Sequence, residues 1–170
     1  MADFERTRER EREPGIETRY DAFIRSRKEF DARQLNGPIV IKPSDREYQQ
    51  TRQGRLFYFL NAQAYKDTPL QDWRVFVHDI KTHSGMHRHQ GGFVIYVIEG
   101  KGYSLVDGER VDWGPRDLLL LPIKPGGVEH QHFNLEVGKP CRWIAFCYLP
   151  VFDHVASEFT QMQVSPQFQG

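Results

Sequence analysis

The chain has 170 residues, and its 23 lysines and arginines are balanced by 23 aspartates and glutamates. That length suits one domain, and zero net charge argues against a general nucleic-acid or anionic-membrane surface, which calls for a positive excess. No apolar run reaches the roughly 18 residues that span a bilayer and no apolar stretch follows the charged start, so the expected location is the cytoplasm.

Residues 1–14 alternate charges with almost no apolar content and are expected to be solvated or frayed. From Ile16, the apolar residues Tyr20, Phe23, Ile24 and Phe30 recur at helical spacing, which predicts a helix over about 16–33 with a stripe for its own domain or a neighbouring subunit. Three segments rich in β-branched and aromatic residues follow at 38–41, 55–60 and 73–80, separated by Gly, Asn, Asp and Pro, and these read as strands. The run Phe93 to Glu99 is continuous, apolar and ended by Gly100. Residues 103–106 and 109–113 flank Asp107-Gly108, a dipeptide suited to a two-residue hairpin turn. Residues 117–122 and 141–149 complete the set of strands, and 152–162 is expected to form a short terminal helix. Cys141 and Cys147 sit six residues apart on one strand, about 20 Å at ~3.3 Å per residue, well beyond disulfide reach, and are expected to be reduced and buried.

Many short strands with no helices between them predict an all-β jelly-roll β-barrel with an N-terminal helical extension. The expected divisions are 1–34 for the charged extension and its amphipathic helix, 35–150 for the barrel, and 151–170 for a C-terminal tail.

The chemistry lies in His87-Arg88-His89 and in His130 of the run Gly127 to Asn134. Two imidazoles two apart on an extended segment face the same way, and a third from a later strand can complete a facial set of metal ligands that leaves positions open. Arg88 alternates away from that face. His132 shares the parity of His130 and is a candidate hydrogen-bond donor or substrate contact. Gln131, Phe93 and Tyr96 are further candidate contacts, and aromatic strand residues of this kind more often pack a core than bind a ligand.

These motifs resemble those of the cupin superfamily. His87, His89 and Gly100 match its first motif, with Phe93 at the position of the usual Glu; Gly127, His130 and Asn134 match the second. Arg116 replaces the Gly that normally precedes the Asp at Asp117, and the stretch from Pro122 to Gly127 is longer than the pattern. The resemblance covers about residues 73–150 and implies metal ligation by His87, His89 and His130. A site of three histidines and no carboxylate is similar to those of gentisate-type and diketone-cleaving dioxygenases. That likeness implies Fe(II), with Zn, Mn, Ni or Cu as other metals an imidazole set accepts, and a small aromatic or enolisable substrate together with O2. The readings from other classes are a non-redox metal-dependent isomerase or lyase and a non-catalytic small-molecule-binding cupin. A homo-oligomer, most simply a homodimer, is expected because cupins commonly pair.

Overall fold

The computed structural model describes residues 17–155 and 159–170. The expectation for residues 1–14 lies outside them. The chain divides into two compact units between Gly37 and Pro38.

In the first unit, helix α1 runs over Arg19–Asn36. The side chain of Thr18 accepts a hydrogen bond from the Asp21 backbone N–H, and the Asp21 carboxylate accepts one from the Thr18 backbone N–H, a reciprocal cap that fixes the start. The helix starts and stops about three residues later than the apolar spacing suggests, because the capping pair sets its first turn and Gly37 ends it.

The second unit is built from two antiparallel sheets. One has six strands in the order β1 (Gln49–Thr51), β2 (Gly54–Leu60), β3 (Trp73–Asp79), β10 (Arg142–Tyr148), β5 (Phe93–Glu99) and β8 (Leu118–Leu121). The other has five, in the order β11 (Thr160–Gln161), β4 (His87–His89), β9 (Val128–Asn134), β6 (Gly102–Val106) and β7 (Glu109–Trp113). A short helix, α2 (Leu149–His154), follows β10. This is the all-β jelly roll that the strand pattern predicts. No helix among the described residues is long and apolar enough to cross a membrane.

Alternation fixes which side chains enter the core. Along β5, Phe93, Ile95 and Val97 are buried while Val94, Tyr96 and Ile98 are exposed, and Leu119 and Leu121 of β8 follow the same rule. Leu56, Phe76, Trp113, Val128 and Trp143 join them in one core cluster. The hairpin between β6 and β7 turns on Asp107 at φ 50° and Gly108 at φ 86°, the left-handed pair that a tight two-residue turn demands. Both cysteines are free and buried, and burial foremost pushes the Cys141 thiol up to about 12 and that of Cys147 to about 11.

Three segments depart from the sequence expectation. Residues 38–41 form no strand, and Ile39 and Val40 are exposed; among the described residues no strand pairs with this apolar run. The polar strand β1 pairs with β2 through the turn between Thr51 and Gly54, and carries no hydrophobic signal. The terminal helix stops at His154, and Thr160 and Gln161 pair instead with Arg88 and His87 of β4.

Candidate metal centre

Strand β4 is only three residues long, with His87 and His89 buried and Arg88 exposed between them. Its neighbour β9 places His130 directly across from His87, and Arg88 across from Glu129, where the two form an ion pair at 2.8 Å on the outer surface. The turn that precedes β9 has Gly126 and Gly127 at φ 79° and 81°. A Cβ on Gly127 would lie 2.8 Å from the carbonyl oxygen of His89, so that residue lets the two ligand-bearing segments approach.

The three imidazoles converge. Ring centroids are 4.2 Å apart for His87 and His130, 4.7 Å for His89 and His130, and 5.5 Å for His87 and His89. One nitrogen from each lies within 4.8 Å of the others. They are 7%, 3% and 3% exposed for His87, His89 and His130. Burial first, then the neighbouring histidines, pushes each ring down to about 3, so all three are neutral near pH 7.

Such a set fits a divalent transition metal: three neutral nitrogen donors on one side, within mutual reach, and no carboxylate among them. Two rings are oriented by the backbone. Nδ1 of His87 faces the Gly85 carbonyl at 3.3 Å and Nδ1 of His130 the Val128 carbonyl at 3.1 Å, which leaves Nε2 of each with its lone pair toward the cluster. His89 differs, since its Nδ1 accepts the Gly91 backbone N–H at 3.0 Å. Ligation through its Nε2 requires that contact to open, because a neutral imidazole has one lone pair to give.

Phe93 packs against His89 at a centroid distance of 4.6 Å and against Phe152 at 5.7 Å, an apolar ring beside the nitrogen cluster. His132, fully buried, lies 5.4 Å from His130 and shares a 2.7 Å hydrogen bond with Ser104, which also accepts the Trp113 indole N–H at 2.9 Å. His87, His89, His130, His132 and Phe93 all line one cavity of about 70 Å³.

Two of the candidate contacts do not reach it. Tyr96 is 37% exposed on the outer face of β5, opposite in parity to Phe93. Gln131 points away from His130, and its side-chain amide donates to the Ser84 carbonyl at 2.9 Å. The alternation that puts His87 and His89 together sends these two side chains the other way.

Residues 76–147 match the cupin domain family. This chain carries a cupin domain. No curated protein matches the chain. Among solved structures, this cupin is similar to a Streptomyces nucleoside dehydratase, with TM-score 0.52 and 12% identity over 76% of this chain and 98% of that one. It is also similar to the salicylate 1,2-dioxygenase of Pseudoaminobacter salicylatoxidans, with TM-score 0.50 and 14% identity over 85% of this chain. The matched region is 36% of that dioxygenase chain, so the likeness spans about a third of its length.

The sequence motifs account for one wall of the cupin cavity. The other wall comes from Tyr58 of β2, from Arg74, Phe76 and His78 of β3, and from Trp143 of β10. The signal for the β3 residues is the alternation Arg74, Phe76, His78, which the pairing with Cys147, Ala145 and Trp143 of β10 turns inward. His78 is buried, its Nε2 has no hydrogen-bond partner among the described residues, and burial foremost pushes the ring down to about 3. Phe159 stacks on His87 at 5.1 Å from beyond α2, and nothing in the motif pattern announces it.

Proposed function

We propose that this protein is a mononuclear metal enzyme in which His87, His89 and His130 bind Fe(II), and that it is a dioxygenase cleaving a small enolic, phenolic or diketone substrate. The observation that carries this reading is the convergence of three buried, neutral imidazoles with Phe93 beside them in place of a carboxylate. Three neutral donors leave a divalent ion its full charge, so an ionised enol or phenol is the favoured ligand. When bound, the metal supplies the redox chemistry and lowers the proton affinity of a coordinated oxygen. The protein's part is to hold ring orientation through the Gly85 and Val128 carbonyls, and to keep the cavity dry with Phe93, Phe152 and Phe159. A like barrel serves salicylate 1,2-dioxygenase, which supports the class; the small cavity favours compact substrates over large ones.

A non-redox isomerase or lyase using Zn, Mn or Ni is the second reading. It is favoured by the similarity to a nucleoside dehydratase whose whole chain is of comparable extent. A metal-dependent binding protein without turnover is the third. We also propose a cytoplasmic protein, in keeping with two free buried cysteines. A homo-oligomer is proposed from the exposed apolar residues Val94, Tyr96, Ile98, Leu118 and Leu120 on the outer face of β5 and β8.

Metal analysis after anaerobic iron(II) loading, with oxygen uptake across enolisable ketones, diketones and phenols, tests the proposal. Near-stoichiometric iron with substrate-dependent oxygen uptake is expected, with His87→Ala, His89→Ala and His130→Ala each losing both. Stoichiometric metal with no oxygen uptake would move the assignment to the non-redox or binding readings. A histidine variant that lost metal and kept turnover would overturn the metal enzyme altogether.

A further inference from the structure

The cavity wall away from the three histidines carries an arginine, which also borders an outer cleft lined by Asp72 and Asp153. Arg74, half-buried, faces inward from β3 with Phe76 and His78, across from Cys147 of β10. Among the described residues its guanidinium makes no ion pair and no hydrogen bond. It lies 5.8 Å from the centre of the Phe152 ring. The same ring lies 5.7 Å from that of His89, so the cation and a candidate metal ligand flank one phenyl group. In the same unit Arg55 pairs with Asp79 and Arg88 with Glu129. A guanidinium that gives up part of its hydration at a cavity wall without a carboxylate is poised for an oxyanion supplied by a ligand.

Tyr58 stands next to it on the same sheet. The register of β2 and β3 sets Tyr58 opposite Phe76, and both Tyr58 and Arg74 line the cavity. The Tyr58 hydroxyl makes no hydrogen bond among the described residues. The Tyr58 and Phe76 ring centroids are 5.4 Å apart, and Arg74 lies two residues from Phe76 on the same face of β3. One wall of the cavity thus presents a planar cation and a hydroxyl donor, and the other presents three nitrogen donors.

We propose that Arg74 and Tyr58 form a carboxylate-binding half of the cavity, and that the ligand is a compact, enolisable oxo-acid whose carboxylate meets Arg74 while its oxo or enol oxygen faces the three histidines. This rests on the reading of the cavity as a ligand site over a bound metal. The cavity of about 70 Å³ admits only a compact ligand, and one of acetoacetate's size requires Phe152 or Phe159 to move. The two anionic groups are separated by the carbon skeleton, so neither site competes for the other's oxygen. Arg74 is here a specificity-determining residue.

The probes are acetoacetate and its neutral analogue acetylacetone, titrated calorimetrically into zinc-loaded and metal-free protein so that no oxidation intervenes. Wild-type protein should prefer acetoacetate. Arg74→Met should weaken acetoacetate about 10- to 100-fold, as expected for a charge-assisted hydrogen bond, and leave acetylacetone unchanged. Arg74→Lys should recover part of the loss, and Tyr58→Phe should cost a few-fold. Zinc stoichiometry and melting temperature should stay at wild-type values in all three. Equal affinity for both probes in the wild type, binding of neither, or equal weakening of both by Arg74→Met would overturn the proposal. Failure of the metal reading has a different signature: no zinc bound, with the acetoacetate preference still present in the protein and still lost in Arg74→Met.

Discussion

Mild acid should destabilise the metal-free protein, because five rings must stay neutral in the folded state, His132 among them, held well below its ordinary value by burial first. His78, His87, His89 and His130 are each pushed from 6.5 to about 3, by burial foremost. Between those two values the unfolded chain holds more protons than the folded one, so folding stability falls as pH falls from about 6.5 toward 3 and is flat above. One such ring loses about 1.4 kcal/mol per pH unit, or about 2 kcal/mol between pH 6.5 and pH 5. The His87 and His130 ring centroids are only 4.2 Å apart, so the first proton taken up repels a second. That repulsion acts only in the folded protein; the unfolded chain protonates each ring independently, so the losses add, and the expected loss at pH 5 is on the order of several kcal/mol, comparable with a typical total of about 5–15 kcal/mol. Asp107 and Glu136 are held below the ordinary carboxylate range and remain charged throughout this interval. Urea unfolding of chelator-treated protein at pH 7, 6 and 5, followed by tryptophan fluorescence, measures the drop. Zinc saturation should carry the stable range to lower pH, since metal and proton compete for the same nitrogens. An unfolding midpoint that is unchanged or higher at pH 5 in the metal-free protein would refute the claim that these rings are buried and neutral.

Two substitutions probe the rest of the site. Phe93→Glu removes a core ring and buries a carboxylate 4.6 Å from the present position of the His89 ring contact, which should cost the metal-free protein about 3–5 kcal/mol; zinc should restore more stability to this variant than to wild type, and an equal zinc increment would refute it. Ser104→Ala leaves the Trp113 indole N–H and Nδ1 of His132 without their shared partner, at a cost of about 2–4 kcal/mol by urea unfolding, and a cost below about 1 kcal/mol would show that the chain from His132 to Trp113 contributes little.

The ligand histidines are legible in the sequence because strand alternation and the spacing of two motifs act over short distances: β4 needs only three residues to put His87 and His89 on one face, and β9 needs only the Gly126-Gly127 turn to bring His130 beside them. The same parity argues against Tyr96, three residues from Phe93, and against Gln131, adjacent to His130. Arg74, Tyr58 and His78 are harder to see. Each sits in a strand whose residues are mostly apolar; Arg74 and His78 are turned inward by pairing with β10, some seventy positions away in the chain, and Tyr58 by pairing with β3. β1 and β11 lie outside any hydrophobic pattern, since Gln49–Thr51 and Thr160–Gln161 are polar and owe their form to the strand beside them. Residues 38–41 show the converse, an apolar run that no neighbour makes into a strand.

The pairing of β11 with β4 also has a bearing on when the site can come into being. Gln161 lies opposite His87, and Thr160 opposite Arg88, so the short strand with two of the three nitrogen donors is held on one edge by residues made long after it. During synthesis the chain leaves the ribosome from its N-terminus, and His87, His89 and His130 emerge well before their last neighbour does. A nascent chain ending between residues 130 and 160 has all three donors and an unsupported edge on β4. Metal capture in final geometry thus waits for Thr160 and Gln161 to close the edge of β4.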